Sequence, residues 1–307
     1  MQRILTGERT TGNLHIGHYF GSLQSRIELQ DEYETFIILA DMQVLYDHLG
    51  DDKGNAIRAN VYQALLDNLA AGLDPEKVTF FVQSEIPELA ELAMFFTFLV
   101  SVGRAKRNPT VKAEMEQAGT SYEHMNLGFL SFPVSQAADI LLPKANLVPV
   151  GEDQIPHIEQ TREIARRFNT LFGEVFPIPD YKVSAFPRLP GLDGKNKMSK
   201  SLNNVINLTD DEATVNAKIK KAYSGEGHAL FTYGKLFGME PNERMGEFKP
   251  ALADGINAFL EPIRQRRKEL EKEPGFLREV LNKGRDRVRE IGAGTLAEVK
   301  AKMGMVY

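Results

Sequence analysis

The chain has 307 residues, 42% hydrophobic and 26% charged, with a net charge of −5. That make-up excludes a disordered chain and a Gly- or Pro-repeat fibre, and suits one large domain or a large domain with a smaller one. Cysteine is absent, which excludes disulfides, thiolate nucleophiles and Cys-ligated zinc; no metal site built by the protein itself is expected. The longest apolar run lies within Leu92–Gly103, well short of the roughly 20 residues a membrane helix needs. The opening Met1-Gln2-Arg3-Ile4-Leu5-Thr6-Gly7 enters a strand-like segment without the apolar core of a leader. A cytoplasmic protein with no membrane partner is expected. Charge is uneven: from Pro250 onward twelve Lys/Arg stand against nine Asp/Glu, so the tail carries about +3 and the rest about −8.

In chain order, Arg3–Thr6, Thr35–Ala40, Val78–Gln83 and Leu147–Val150 are short β-type runs. Each precedes a helical pattern: Gly17–Gln30, Ala56–Gly72, Pro87–Gly103 and Glu152–Asn169. Strands alternating with helices at this spacing predict βαβ units and a doubly wound parallel sheet. Around Phe176–Leu202 the texture changes to Pro, Gly, Lys and Ser, as in a loop. Only helical patterns follow: Asp210–Ala222, Pro250–Leu270, Phe276–Ile291 and Thr295–Met303, with Gly292 and Gly294 separating the last two. An α/β domain followed by a smaller all-helical domain is expected, the last helix packing back on the first domain.

In an open parallel sheet, ligands bind beyond the carboxyl ends of the strands. Three polar, Gly-containing segments fall there: Gly7-Glu8-Arg9-Thr10-Thr11-Gly12, Ala40-Asp41-Met42-Gln43 and Gly151-Glu152-Asp153-Gln154. Free N–H groups and the positive end of a helix dipole suit an anion at such places. None is a phosphate loop of the G-x-x-x-x-G-K type, and no G-x-G-x-x-G follows the first strand.

Two sharper signals stand out. In His15-Ile16-Gly17-His18, two imidazoles three residues apart share one face of a first helical turn, and Gly17 leaves a bare floor for a flat base. Alone, the pair suits phosphate binding, a metal-binding pair or two capping residues. In Lys197-Met198-Ser199-Lys200-Ser201, two ammonium groups and two hydroxyls on a loop suit the phosphate tail of a nucleotide. Alone, that run reads as a solvated basic linker.

Together and in this order, HIGH near the first strand and KMSKS after the sheet resemble class I aminoacyl-tRNA synthetases. Gly128-Phe129-Leu130-Ser131-Phe132-Pro133, Gln136-Ala137-Ala138-Asp139-Ile140, Val148-Pro149-Val150-Gly151-Glu152-Asp153-Gln154 and Thr161–Asn169 resemble the tryptophanyl branch of that family, over most of residues 3–223. The resemblance implies a Rossmann-like catalytic domain over 1–205, a helical tRNA anticodon-binding domain over 206–292 and a C-terminal helix over 293–307. It implies activation of L-tryptophan by ATP with Mg²⁺, giving tryptophanyl-AMP and pyrophosphate, then transfer to the terminal adenosine of tRNA(Trp). It also implies a homodimer, with Leu92–Val102 at the contact, and no DNA partner.

By the same resemblance, His15, His18, Lys197 and Lys200 are the catalytic residues. Arg9, Thr10, Thr11, Gly17, His18, Gly151, Glu152, Asp153, Leu189, Lys197, Met198, Ser199, Lys200 and Ser201 line ATP. Leu5, Phe132, Gln136, Asp139, Val148, Val150 and Gln154 form the amino-acid pocket, with Asp139 accepting the indole N–H, a group that only donates. Arg264, Arg266, Arg267, Lys268, Arg285, Arg287 and Arg289 are expected against tRNA phosphates. Many bacterial members have Met at the position of Gln136; Gln136 with Asp139 keeps tyrosine as an alternative substrate. A non-catalytic or auxiliary paralogue and a small-molecule adenylyltransferase are the other readings. The family has a longer stretch between Tyr223 and Phe237, which puts anticodon contacts there in doubt.

Overall fold

The computed structural model describes residues 1–46, 49–50, 55–183, 189–194, 198, 202–225, 229–240 and 242–307. Lys197, Ser199, Lys200 and Ser201 lie outside them, as do Glu226, Gly227 and His228 of the shortened stretch. Five parallel strands form one sheet in the order β3-β2-β1-β4-β5: β1 (Arg3–Arg9), β2 (Glu34–Ala40), β3 (Val78–Val82), β4 (Leu147–Val150) and β5 (Asp180–Val183). Phe36–Ala40 and Val78–Val82 are buried throughout, as expected of strands covered on both faces. The first four match the sequence-predicted runs. The fifth is a short, largely exposed edge strand reading Asp-Tyr-Lys-Val, and that polarity hides it from a search for apolar runs.

Gly7 is fixed by the sheet, because a Cβ there would lie 2.1 Å from the Ile38 carbonyl oxygen of the neighbouring strand. The sheet order reverses between β1 and β4. Seven residue pairs join β1 to β2, whereas β1 pairs with β4 at Ile4–Leu147. Beyond it the two strands leave room at their carboxyl ends, the place where doubly wound sheets bind ligands.

The helices on the two faces are α1 (Ile16–His18), continued by a π turn (Tyr19–Leu23) into α2 (Gln24–Leu29), then α3 (Ile57–Ala71), α4 (Pro87–Thr97) and α5 (Val102–Lys106). They are followed by α6 (Pro109–Gln117), α7 (Leu127–Leu141) and α8 (Ile155–Phe172). The expected helix Pro87–Gly103 is thus two, with Ser101 capping the second through Arg104 N–H. Helices α6 and α7 are additions to the sequence reading. Asn108 caps α6 and Pro109 opens it, while Pro133 sits inside α7, whose residues are apolar nearly all round.

Beyond Leu202 the described elements are helical: α9 (Glu212–Lys221), α10 (Leu230–Leu236), α11 (Met245–Leu270) and α12 (Pro274–Lys302). The last corrects the expectation of two helices broken at Gly292 and Gly294. One helix runs through both; Gly292, like Gly284, serves close packing instead, while Gly294 faces open space. A Cβ on Gly284 would lie 1.7 Å from the Phe80 carbonyl oxygen, and one on Gly292 would lie 3.0 Å from Leu142 Cδ2. Helix α12 therefore lies directly against edge strand β3, covering an edge that would otherwise be open to pairing. Among the described residues, no helix is long and apolar enough to cross a membrane.

Candidate active site

A cleft of about 390 Å³ opens at the carboxyl ends of β1 and β4. The strands present Leu5, Thr6, Gly7, Glu8 and Arg9 on one side and Val148, Pro149 and Val150 on the other, and α7 closes it with Phe132, Gln136 and Asp139. Gly151, Asp153 and Gln154 come from the turn after β4, and His18 from the start of α1. All seven residues expected around the amino acid therefore meet in one cavity. Of those expected around ATP, Arg9, His18, Gly151 and Asp153 line it as well. Thr10 is buried and Thr11 half-buried, neither on the cleft wall, and Glu152 is exposed on its turn.

Asp139 is the electrostatic centre of the pocket. Its side chain is enclosed, and both oxygens accept from Gln83 Nε2 at 3.0 and 2.9 Å, with Gln43 Nε2 donating to Oδ2 at 3.4 Å. Burial pushes its carboxyl up to about 7, helped by the Asp41 charge and opposed by the two glutamine donors. With Gln83 and Gln43 donating to it, its remaining acceptor capacity suits one more N–H. Sequence reasoning missed Gln83 and Gln43. The second lies in the polar segment flagged after β2, while the first had no local signal, since it ends a buried strand.

On the same wall, Gln136 Nε2 donates to Gln154 Oε1 at 3.4 Å, and Gln154 Nε2 donates to Asp153 Oδ2 at 3.1 Å. His157, one turn further along, also lines the cleft. Its ring meets Phe132 edge to face at 5.0 Å, and Asn108 Nδ2 lies 3.2 Å from Nδ1. Burial, with the nearby Arg9 charge, pulls its pKa down to about 4, so it is neutral at pH 7. With Nδ1 accepting from Asn108, the proton belongs on Nε2, which is buried without a partner.

The HIGH segment is held from three directions. Leu14 N–H donates to Asp67 Oδ2 at 2.7 Å, Ile16 N–H to the Ile206 carbonyl at 2.9 Å, and Leu208 N–H to the Leu14 carbonyl at 2.9 Å. His15 N–H donates to His18 Nδ1 at 3.1 Å. Nδ1 of His18 therefore accepts, which puts the proton of a neutral ring on Nε2. The two imidazoles lie 3.8 Å apart between centroids. The space a side chain would take at Gly17 is occupied: a Cβ would lie 2.9 Å from the His15 ring and 3.0 Å from Met198 Sδ. Met198 is anchored by its N–H to the Leu189 carbonyl at 3.1 Å. Met198 of the KMSKS run thus rests on the HIGH turn.

The basic tail is less available than its charge suggests. Arg267 is buried in an ion pair with Asp67 and a hydrogen bond to Gln63, and Arg264 donates to the Asp210 carbonyl and to Asn257. Arg285, Arg287 and Arg289 pair with Asp286, Glu34 and Glu88. Arg266 and Lys268 stay exposed.

A family model described as tRNA synthetases class I (W and Y) matches residues 1–276. The chain belongs to that family. It is 44% identical to a tryptophan–tRNA ligase of Treponema pallidum, over 99% of this chain and 97% of that protein. It is 46% identical to one of Streptococcus agalactiae, over 99% and 98%. These alignments run over 330 and 337 positions, so both relatives carry residues this synthetase lacks. Its fold is also that of a tryptophanyl-tRNA synthetase from Campylobacter jejuni solved with ADP and tryptophan, at a TM-score of 0.86 and 30% identity, covering 99% of this chain and 100% of that one.

Proposed function

We propose that this synthetase is a tryptophan–tRNA ligase: ATP activates L-tryptophan to tryptophanyl-AMP with release of pyrophosphate, and the tryptophanyl group passes to the terminal adenosine of tRNA(Trp). The observation that carries the reading is Asp139, enclosed at one end of the cleft among donors and ready to accept the indole N–H. A site built to hydrogen-bond its substrate rejects a ligand lacking that group far better than an apolar pocket does. Leu5, Phe132, Val148 and Val150 supply the apolar walls, with Gln136 and Gln154 as polar ends.

The substrate's own carboxylate is the nucleophile, so the protein needs only to position two anions and stabilise charge. His18, as an Nε2–H donor beside the cleft, suits a phosphate oxygen, and its charge-assisted bond tightens as negative charge grows on that oxygen. His15 supports it from behind. Lys197 and Lys200 are assigned to the departing pyrophosphate. Thr10 and Thr11 shape the first loop, and Gly151, Glu152 and Asp153 are assigned to the ribose. Among the described residues no group of three or more His, Asp or Glu is placed to hold a metal ion. Mg²⁺ is assigned to the phosphates of ATP and enters with that substrate.

We assign residues 206–292 to tRNA, with Arg266 and Lys268 at its phosphates. The working form is read as a cytoplasmic homodimer: Met94, Phe98, Val102 and Leu127 are exposed apolar side chains on or beside α4, α5 and α7, a surface suited to a second copy. The test is charging of a tRNA(Trp) transcript with labelled tryptophan. Stoichiometric acylation sensitive to mild alkali is expected; no acylation with an otherwise active enzyme would refute the transfer step.

A further inference from the structure

Two opposite charges stand in the same cleft as Asp139: Arg9, expected above to line ATP, and Glu114, which no motif singled out. Arg9, at the end of β1, holds its guanidinium 5.6 Å from the centre of the Phe132 ring. Glu114, on α6, reaches in from the other side, its Oε1 3.5 Å from Arg9 Nη2. Both line the cavity. Phe132 and Asp139 lie on one helix, seven residues apart, or two turns and about 10.5 Å of rise. The Arg9–Glu114 pair and Asp139 thus mark the two ends of a trough, and its length suits an indole with its side-chain carbons and a hydrogen bond at each end.

Resting on the tryptophan reading above, we propose that Arg9 and Glu114 form a clamp for the zwitterionic end of the amino acid. Glu114 takes the α-ammonium and Arg9 the α-carboxylate. In the empty site the two side chains neutralise each other, and the substrate enters between them, exchanging one ion pair for two. No net charge is buried in the exchange, which avoids the penalty of desolvating an unpaired ion. His157 lines the same cleft, its ring edge to face with Phe132 at 5.0 Å. Because guanidinium donors come as a planar fork, Arg9 can also face the α-phosphate, lowering the repulsion between two anions that must meet.

The proposal implies that each variant loses affinity only for ligands carrying its own partner group. The chain contains no tryptophan, so the indole emission of a ligand reports binding directly. Tryptophan, tryptamine (no carboxylate) and indole-3-propionate (no ammonium) would be titrated into wild type, Glu114→Gln and Arg9→Gln. Glu114→Gln is expected to weaken tryptophan and tryptamine about 10- to 100-fold, the loss of one charge-assisted bond, while indole-3-propionate changes less than threefold. Arg9→Gln is expected to do the reverse, sparing tryptamine. Arg9→Lys, which keeps the charge and loses the fork, should fall between. Equal weakening of all three ligands by either variant would mean a structural role and overturn the clamp. So would a tryptophan-to-indole-3-propionate ratio unmoved by Glu114→Gln. If wild type bound none of the three, the tryptophan reading itself would fall, and the clamp with it.

Discussion

Asp139 makes a prediction that separates its function from its cost. In the folded chain its carboxyl titrates near 7 because burial outweighs two glutamine donors, against about 4 in an unfolded chain. For an acid whose folded pKa is raised, ionisation subtracts stability. The loss is absent below about pH 4, grows as pH rises and is complete above about pH 7. At about 1.4 kcal/mol per pH unit, three units correspond to roughly 4 kcal/mol. Asp139→Asn keeps the shape and cannot ionise. The difference in unfolding free energy between variant and wild type, measured by urea denaturation at pH 4 and pH 8, should shift by roughly 4 kcal/mol in favour of the variant at the higher pH. The titration of His157 is common to both proteins and cancels. Ligand binding should move the opposite way: wild-type affinity for tryptophan should rise up to tenfold per unit toward pH 7 and then level, whereas Asp139→Asn binds weakly and without that slope. A wild-type-minus-variant difference constant within about 1 kcal/mol across the range would refute the burial argument.

His157 is held neutral with a pKa near 4, so its stabilising burial is intact above pH 6.5 and is lost as pH falls toward 4; His157→Gln should remove roughly 3 kcal/mol of acid sensitivity, read by denaturation at pH 7 and pH 4. Arg267→Met leaves the fully buried Asp67 carboxylate uncompensated, with an expected loss of about 3–5 kcal/mol; because Asp67 also anchors Leu14 N–H, the KM for ATP should rise, and unchanged stability would contradict the pairing. Gly17→Ala puts a methyl group against the His15 ring and Met198 Sδ; the expected result is at least a tenfold drop in activation rate with a melting temperature within a few degrees of wild type. Gly284→Ala drives a methyl group into the Phe80 carbonyl, and a loss of about 3 kcal/mol or more is expected from so tight a helix–strand contact.

The parallel sheet was legible because its inner strands are continuous apolar runs, each followed by a helical pattern. The polar edge strand Asp180–Val183 was not, and neither was Leu127–Leu141, where Pro133 and an apolar sequence nearly all round erase the helical period. Asn108-Pro109 is a capping signal for helix Pro109–Gln117 that went unread, and without that helix Glu114 could not be placed in the cleft. Motif reading named residues that the fold brings to one cleft, Arg9, His18, Gly151 and Asp153 beside the seven expected around the amino acid. It missed groups whose function comes from distance in sequence: Gln83 and Gln43 facing Asp139, and His157 behind Phe132. Charge counting misled at Arg264 and Arg267, since it cannot tell a solvated cation from one buried against a carboxylate or a carbonyl 50 to 200 residues away. Glycine counting misled at Gly292, where the missing side chain admits a neighbouring helix and does not end its own.

Amino-acid-dependent exchange of pyrophosphate into ATP tests the central claim most directly, with tryptophan, tyrosine and phenylalanine supplied in turn to the full chain with Mg²⁺. Exchange with tryptophan alone is the expected result, and Asp139→Ala should abolish that preference. Exchange with tyrosine in place of tryptophan would contradict the assignment of Asp139 to the indole N–H and shift the pocket's specificity to Gln136.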